Sequence, residues 1–293
     1  MITNLVIGHN GRLGNQIFQY AILKCISLKN GFDVVLPKEN SERVITGRFN
    51  PVLNDVDRYK LDLFECFDIC DNLLSVNEIH KSLSFQYEEN FTMDYNHSLL
   101  ENAKDATNYV GFYQCVQYYY EYEDKLKQIL NIKQNIKNSA LNYINELKNK
   151  YNVSNIVCTH IRRGDLSLDN GQFQVLLSAQ YYNKIFENLT NQNTKFLILS
   201  DDIEWCKKSF DNKDVIFCDA TDKNIQKHIL DFCILSCGDS IIMSNSSFSW
   251  WAAWLSNAKD IYCPNKWFGP AYSNFHEENM RHHKWIQISV ESD

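Results

Sequence analysis

Proline and glycine are scarce, with four and ten in 293 residues. No proline-rich or Gly/Ser linker marks a domain boundary, so any boundary must come from the order of elements. Basic charge is also short: 29 Lys and Arg against 36 Asp and Glu give a net charge of −7. A general nucleic-acid binder carries the opposite excess, so the balance argues against that class, and any phosphate site must be local. No run reaches about 18 apolar residues, and no transmembrane segment is expected. The opening MITNLVIG enters a strand-like run without the basic segment and apolar core of an export signal, so a cytoplasmic location is expected.

What is present is ordinary for a folded chain: 44% hydrophobic and 22% charged residues, enough for one very large domain or two medium ones. Ten cysteines lie mostly inside apolar runs and read as reduced core thiols. Cys66/Cys70 and Cys233/Cys237 share a helical spacing but lack C-x-x-C partners, so no metal site is expected from them. Asp55-Val56-Asp57 has the D-x-D form that holds divalent ions in some transferases. Its polar, irregular surroundings favour a solvated pair.

The first forty residues predict a β-α-β unit: a strand over Asn4 to Gly8, a glycine-bearing turn, a helix from Gln16 to Lys29 stopped by Gly31, and the strand FDVVLP. The segment from 109 to about 150 predicts a strand, a Tyr-rich turn and one long helix. A boundary there divides the chain into domains 1–150 and 151–293. After it, strands NIVCTHI, KFLILS, DVIFC, SIIMS and DIYCP alternate with helical segments, the pattern of a doubly wound parallel sheet.

Ligands of such sheets bind at the carboxyl ends of strands. The first end carries His160, Arg162, Arg163 and Asp165; the second carries Ser200, Asp201 and Asp202, which also suit a helix N-cap. The last places Ser244, Asn245, Ser246 and Ser247 before an aromatic helix, whose unpaired N–H groups make an anion site. Arginine's planar fork binds phosphate oxygens bidentately and keeps its charge. Together these ends suggest a diphosphate. The turn HNGRLGN matches neither the dinucleotide fingerprint nor the P-loop, which leaves two α/β halves facing across a cleft, as in a two-substrate transferase. Tyrosines 118 to 122, and Trp250, Trp251 and Trp254, read as core packing.

Five ordered motifs, GRLGNQIFQYA (11–21), GFYQCVQYY (111–119), HIRRGD (160–165), LSDDIEW (199–205) and NSSFSWWAAWL (245–255), resemble those of the family 11 glycosyltransferases, inverting α-1,2-fucosyltransferases that use GDP-fucose. The resemblance implies a GT-B architecture of two Rossmann-like domains, with the donor nucleotide in the C-terminal half and an oligosaccharide or glycan acceptor. It implies that Arg162 contacts the diphosphate and that Arg12 and Asn15, with Gly14 in the same motif, face the donor phosphates or the acceptor. It places His160 and Asp231 near the nucleoside, and Ser246, Ser247 and Phe248 around phosphate and base. Arg162, Asp165 and Asn15 are the expected catalytic set, and no metal cofactor is expected. Asp165 stays open between orienting the arginines and accepting the acceptor's proton. The chain departs from the family at Leu166, where many members have Tyr, and at QCVQYY, where QSxKYF is usual. A GT-B transferase using another nucleotide sugar and a noncatalytic nucleotide-sugar or glycan binder are the rival readings.

Overall fold

The computed structural model describes residues 1–8, 11–38, 61–89 and 93–290, and the Asp55/Asp57 pair lies outside them. The chain forms two compact units, Met1–Asn131 and Ile132–Asp293. The division falls before the helix Gln134–Tyr151 rather than near residue 150. That helix buries Ile136, Ala140, Ile144 and Leu147, one stripe at helical spacing, against the helix Lys227–Ser236 of the second unit. The apolar stripe, not the loop after it, decides which core the helix joins.

The first unit runs β1 (Ile2–Thr3), α1 (Leu13–Asn30), β2 (Val35–Pro37), α2 (Asp62–Cys66), β3 (Asn72–Leu74), α3 (Val76–Ser82), β4 (Phe85–Glu88), α4 (Ser98–Glu101), β5 (Thr107–Val110) and α5 (Glu123–Ile129). All its strand pairs are parallel, in the orders β1-β5-β4 and β2-β3. A bridge between Ile2 and Val34 joins the two sets, giving the lateral order β3-β2-β1-β5-β4. The carboxyl ends of the parallel strands β1 and β5 lie side by side, and ligands of open α/β sheets bind at such ends.

The strand expected over Asn4 to Gly8 is a turn. Asn4 Oδ1 accepts the Val6 N–H at 3.0 Å and Asn108 Oδ1 accepts the Leu5 N–H at 2.9 Å, so side-chain amides take the hydrogen bonds a ladder would supply. Helix α1 ends where the sequence indicates: Gly31 adopts φ 76° and returns its N–H to the Ser27 carbonyl at 2.8 Å. The expected long helix after the tyrosines is two, α5 and then Gln134–Tyr151. Tyr118 and Tyr119 are buried, in keeping with a core role.

The second unit runs α6 (Gln134–Tyr151), β6 (Asn155–Ile161), α7 (Gly164–Leu168), α8 (Ala179–Leu189), β7 (Thr194–Ser200), α9 (Ile203–Ser209), β8 (Val215–Phe217), α10 (Lys227–Ser236), β9 (Ser240–Ile242), α11 (Ser247–Leu255), β10 (Asp260–Pro264) and β11 (Ile286–Ile288). Its six strands are all parallel, in the order β11-β10-β9-β6-β7-β8. The doubly wound reading therefore holds, with α7 and β11 added. Side chains alternate along β6. Val157 and Ile161 enter a core with Tyr182, Phe186 and Phe210 from the α8/α9 face, whereas Cys158 donates to the Ile234 carbonyl of α10 on the other. Trp250, Trp251 and Trp254 pack on one another with ring centroids 4.8 to 6.2 Å apart and are buried.

Candidate functional site

From β6 the chain winds outward through β7 and β8, then returns to β9 on the other side of β6 and continues to β10 and β11. The switch point is thus the crevice between the carboxyl ends of β6 and β9. His160 near the end of β6 meets Ser244 just past β9, Nδ1 to Oγ at 2.8 Å. The His160 ring also lies 5.0 Å from Phe248 in the first turn of α11, and Phe248 lies 5.3 Å from Phe232 of α10. Burial pushes the imidazole down to about 4; the Arg162 charge also lowers it and Asp201 opposes. His160 is therefore a neutral ring near pH 7.

The loop leaving β6 separates its two arginines. Arg162 Nη1 donates to Asp201 Oδ2 and Nη2 to Asp165 Oδ1, so two carboxylates fix the plane of one guanidinium. Asp201 Oδ1 also accepts the Arg163 N–H at 2.8 Å, which ties the end of β6 to the end of β7. Gly164 permits this approach, because a Cβ there would sit 2.6 Å from Asp201 Oδ2. Arg163 goes the other way: its guanidinium stacks 3.8 Å over the Trp205 ring, and its Nε is 3.7 Å from Asp202. Its side chain is 13% exposed, packed by that stack.

The remaining second-unit candidates divide in the same way. Ser246 caps α11, its Oγ accepting the Phe248 N–H at 3.3 Å, and the helix N-terminus that begins at Ser247 carries the positive end of the dipole. Asn245 is fully buried and donates to the Val175 and Trp267 carbonyls at 2.6 and 3.0 Å. It ties two loops to the crevice. Ser200 Oγ accepts the Asp202 N–H at 3.0 Å, and Asp202 caps α9 through the Trp205 N–H at 3.1 Å, which matches the N-cap alternative. Asp231 on α10 pairs with Lys227 and takes a weak contact from the Cys218 thiol at 3.7 Å; burial raises its carboxyl and Lys227 opposes.

In the first unit, Arg12 is exposed and occupies the N-cap position of α1, followed by buried Gly14 and half-buried Asn15. Asn15 Oδ1 accepts from Gln114 Nε2 at 3.0 Å. This bond joins the segments that follow the adjacent strands β1 and β5.

Two residues fall outside the expected site set, Asp201 and Gln114. The acid was available as the first of two aspartates at a strand end beside an arginine-bearing one, but it read as a cap. Gln114 carried no signal of its own beyond its motif. Among the described residues no group of three or more His, Cys, Asp or Glu is placed to hold a metal ion, and no helix is long and apolar enough to cross a membrane.

The family model described as glycosyl transferase family 11 matches residues 2–289. The chain is similar to an α-1,2-colitosyltransferase of Escherichia coli, 29% identical over 95% of this chain and 96% of that one. It is similar to galactoside α-(1,2)-fucosyltransferase 2 of Bos taurus at 24% identity, covering 96% of this chain and 78% of that one. Among solved structures it resembles POFUT1 in complex with GDP, with a TM-score of 0.51 at 12% identity over 88% of this chain and 94% of that one. That likeness extends to the fold, which is of the GT-B type.

Proposed function

The chain belongs to glycosyl transferase family 11, and from that premise we propose that it moves L-fucose from GDP-β-L-fucose to a glycan hydroxyl, O2 of a terminal galactose or a similar sugar, with inversion to an α-1,2-fucoside. The observation that carries this reading is the β6/β9 switch point, where Arg162, oriented by Asp201 and Asp165, stands at the end of β6. A diphosphate there would receive a guanidinium pre-set by two carboxylates and the N-terminus of α11. The buried His160 and Phe248 rings suit the base. The second unit is read as the donor side and the first as the acceptor side. Arg12, Gly14 and Asn15 contact substrate in this reading.

In an inverting transfer the acceptor hydroxyl attacks the anomeric carbon as the bond to the β-phosphate oxygen breaks, its proton passes to water, and negative charge collects on the departing GDP. Arg162 stabilises that charge. Asp165 is assigned to orienting Arg162, because one of its oxygens already accepts from Nη2. The arginine and the helix dipole handle the diphosphate without a metal ion, so turnover should survive chelation by EDTA. Ten free thiols, most of them buried, suit a reducing, cytoplasmic compartment.

The 29% identity to a colitosyltransferase favours a second reading in which the donor is another GDP-activated deoxy sugar. Incubation with GDP-fucose and GDP-colitose separately, over a panel of galactoside acceptors, with NMR of the product linkage, tests both. An α-1,2-fucoside supports the first reading and transfer only from GDP-colitose the second. GDP binding without turnover of either donor would leave a binding protein.

A further inference from the structure

The first unit holds a buried carboxylate that the donor chemistry does not use. Glu89 follows β4 and is 5% exposed. One oxygen, Oε2, accepts two successive backbone N–H groups, those of Phe112 and Tyr113, both at 2.7 Å. The other, Oε1, is buried with no hydrogen-bond partner among the described residues. A half-satisfied carboxylate in a core is costly to the fold.

The loop it grips is itself held in an uncommon shape. Tyr113 is fully buried at φ 54°, a left-handed backbone that a bulky residue adopts only when its surroundings impose it. Besides Glu89, the Tyr119 hydroxyl donates to the Tyr113 carbonyl at 2.6 Å. Gly111 allows the carboxylate in: a Cβ there would lie 2.4 Å from Glu89 Cβ and 2.8 Å from Oε2. The residue this turn delivers is Gln114, whose amide donates to Asn15 at 3.0 Å and so joins the segments that follow β5 and β1.

From this geometry we infer that Glu89 is a positioning residue: by holding the Phe112–Tyr113 turn it sets the Gln114 amide that orients Asn15 toward substrate. The inference rests on the reading of Asn15 as a substrate contact. Glu89 touches no reacting atom. It acts through one loop, two N–H bonds and one amide. The ionisable groups that feel its charge are Tyr113, Tyr118, Tyr119 and Cys115, each raised chiefly by burial and so neutral near pH 7.

The test is steady-state kinetics of the full chain with GDP-fucose and a galactoside acceptor for Glu89→Gln, Glu89→Ala, Gln114→Ala, Asn15→Ala and the Glu89→Ala/Gln114→Ala pair, with GDP binding by calorimetry as the check on the second unit. Glu89→Gln, whose carbonyl oxygen can still accept both N–H groups, is expected within about threefold of the parent kcat/KM. Glu89→Ala and Gln114→Ala are each expected to lose tenfold or more in acceptor kcat/KM with GDP affinity unchanged, and the double variant to be no worse than the poorer single. Gly111→Ala, which keeps the carboxylate but displaces it, should reproduce the Glu89→Ala defect. Additive losses in the double variant, or a parent-like Glu89→Ala, overturn the positioning role while an impaired Asn15→Ala leaves the substrate reading intact. Parent-like kinetics in Asn15→Ala overturn both.

Discussion

Replacing His160 isolates the cost of keeping one titratable ring out of water. The imidazole is 7% exposed, and burial pushes it from its ordinary 6.5 to about 4. A depressed value means that the unfolded chain binds the proton more tightly than the folded one. The stability tied to a neutral His160 is therefore complete above about pH 6.5 and is lost as pH falls toward 4. At about 1.4 kcal/mol per pH unit the loss amounts to about 2 kcal/mol by pH 5 and about 3 kcal/mol by pH 4. In a unit of this size, 2 kcal/mol corresponds to a Tm lower by about 4 to 8 °C. The assay is thermal unfolding by circular dichroism from pH 8 to pH 4.5 for the parent and for His160→Gln. Carboxylates that titrate in both proteins cancel in the difference. Losing the Ser244 contact lowers the variant's Tm at pH 8, but its curve should fall less steeply below pH 6.5. Parallel curves would refute the reasoning, since they would mean that His160 charges as easily in the fold as outside it.

Arg162→Lys keeps the charge but loses the planar fork that Asp201 and Asp165 hold, and kcat/KM for the donor should fall by an amount worth about 2 to 4 kcal/mol; parent-like turnover would remove Arg162 from the mechanism. Arg163→Lys should do the reverse, lowering Tm through loss of the stack on Trp205 while donor kcat/KM stays within about threefold. Glu89 has its carboxyl raised from 4.5 to about 7, chiefly by burial. A raised acid gives stability that is present below about pH 4.5 and lost as pH rises through 7, so Glu89→Gln should be more stable than the parent at pH 8, by about 3 kcal/mol at most, and lose that advantage at pH 4; denaturant titrations at the two pH values read this directly. Gly238→Ala would put a Cβ 2.8 Å from Cys158 Cβ and 2.9 Å from the Ser240 carbonyl, and should cost about 1 to 3 kcal/mol in the same titration.

The second sheet was legible because its strands are β-branched runs separated by amphipathic helices, and both signals are local. The first unit was less so. β1 stops at Thr3 because Asn4 and the distant Asn108 capture the next N–H groups, and no periodicity within residues 4 to 8 records a partner a hundred residues away. The same reason hid Gln114 and Glu89. Each matters through a contact with a residue far along the chain, and each is an unremarkable polar residue in its own neighbourhood. The early end of the first unit has a different cause. Helix α6 carries its apolar stripe openly, but which core that stripe joins depends on α10, eighty residues later.

The arginine doublet leaves a strand end, and its two side chains part there. Successive side chains of an extended chain point to opposite faces, so two adjacent arginines leaving one strand cannot both serve the same ligand unless the chain turns between them. Here the alternation persists through the exit. His160 lies on the face of α10 and α11 with Phe248, and the Arg162 charge bears on its ring. Arg163 takes the α8/α9 face with Trp205, and its charge is felt at Tyr182. One guanidinium stays between Asp201 and Asp165 and the other packs on the Trp205 ring. Asp201 needs both: its two oxygens hold the Arg162 side chain and the Arg163 backbone, so the residue that aims the first arginine also fixes the point at which the second turns away. A negatively charged chain can therefore present one positive group at a defined angle without carrying a basic patch. In the proposed reading, that is the electrostatic economy a diphosphate site in a protein of net charge −7 requires.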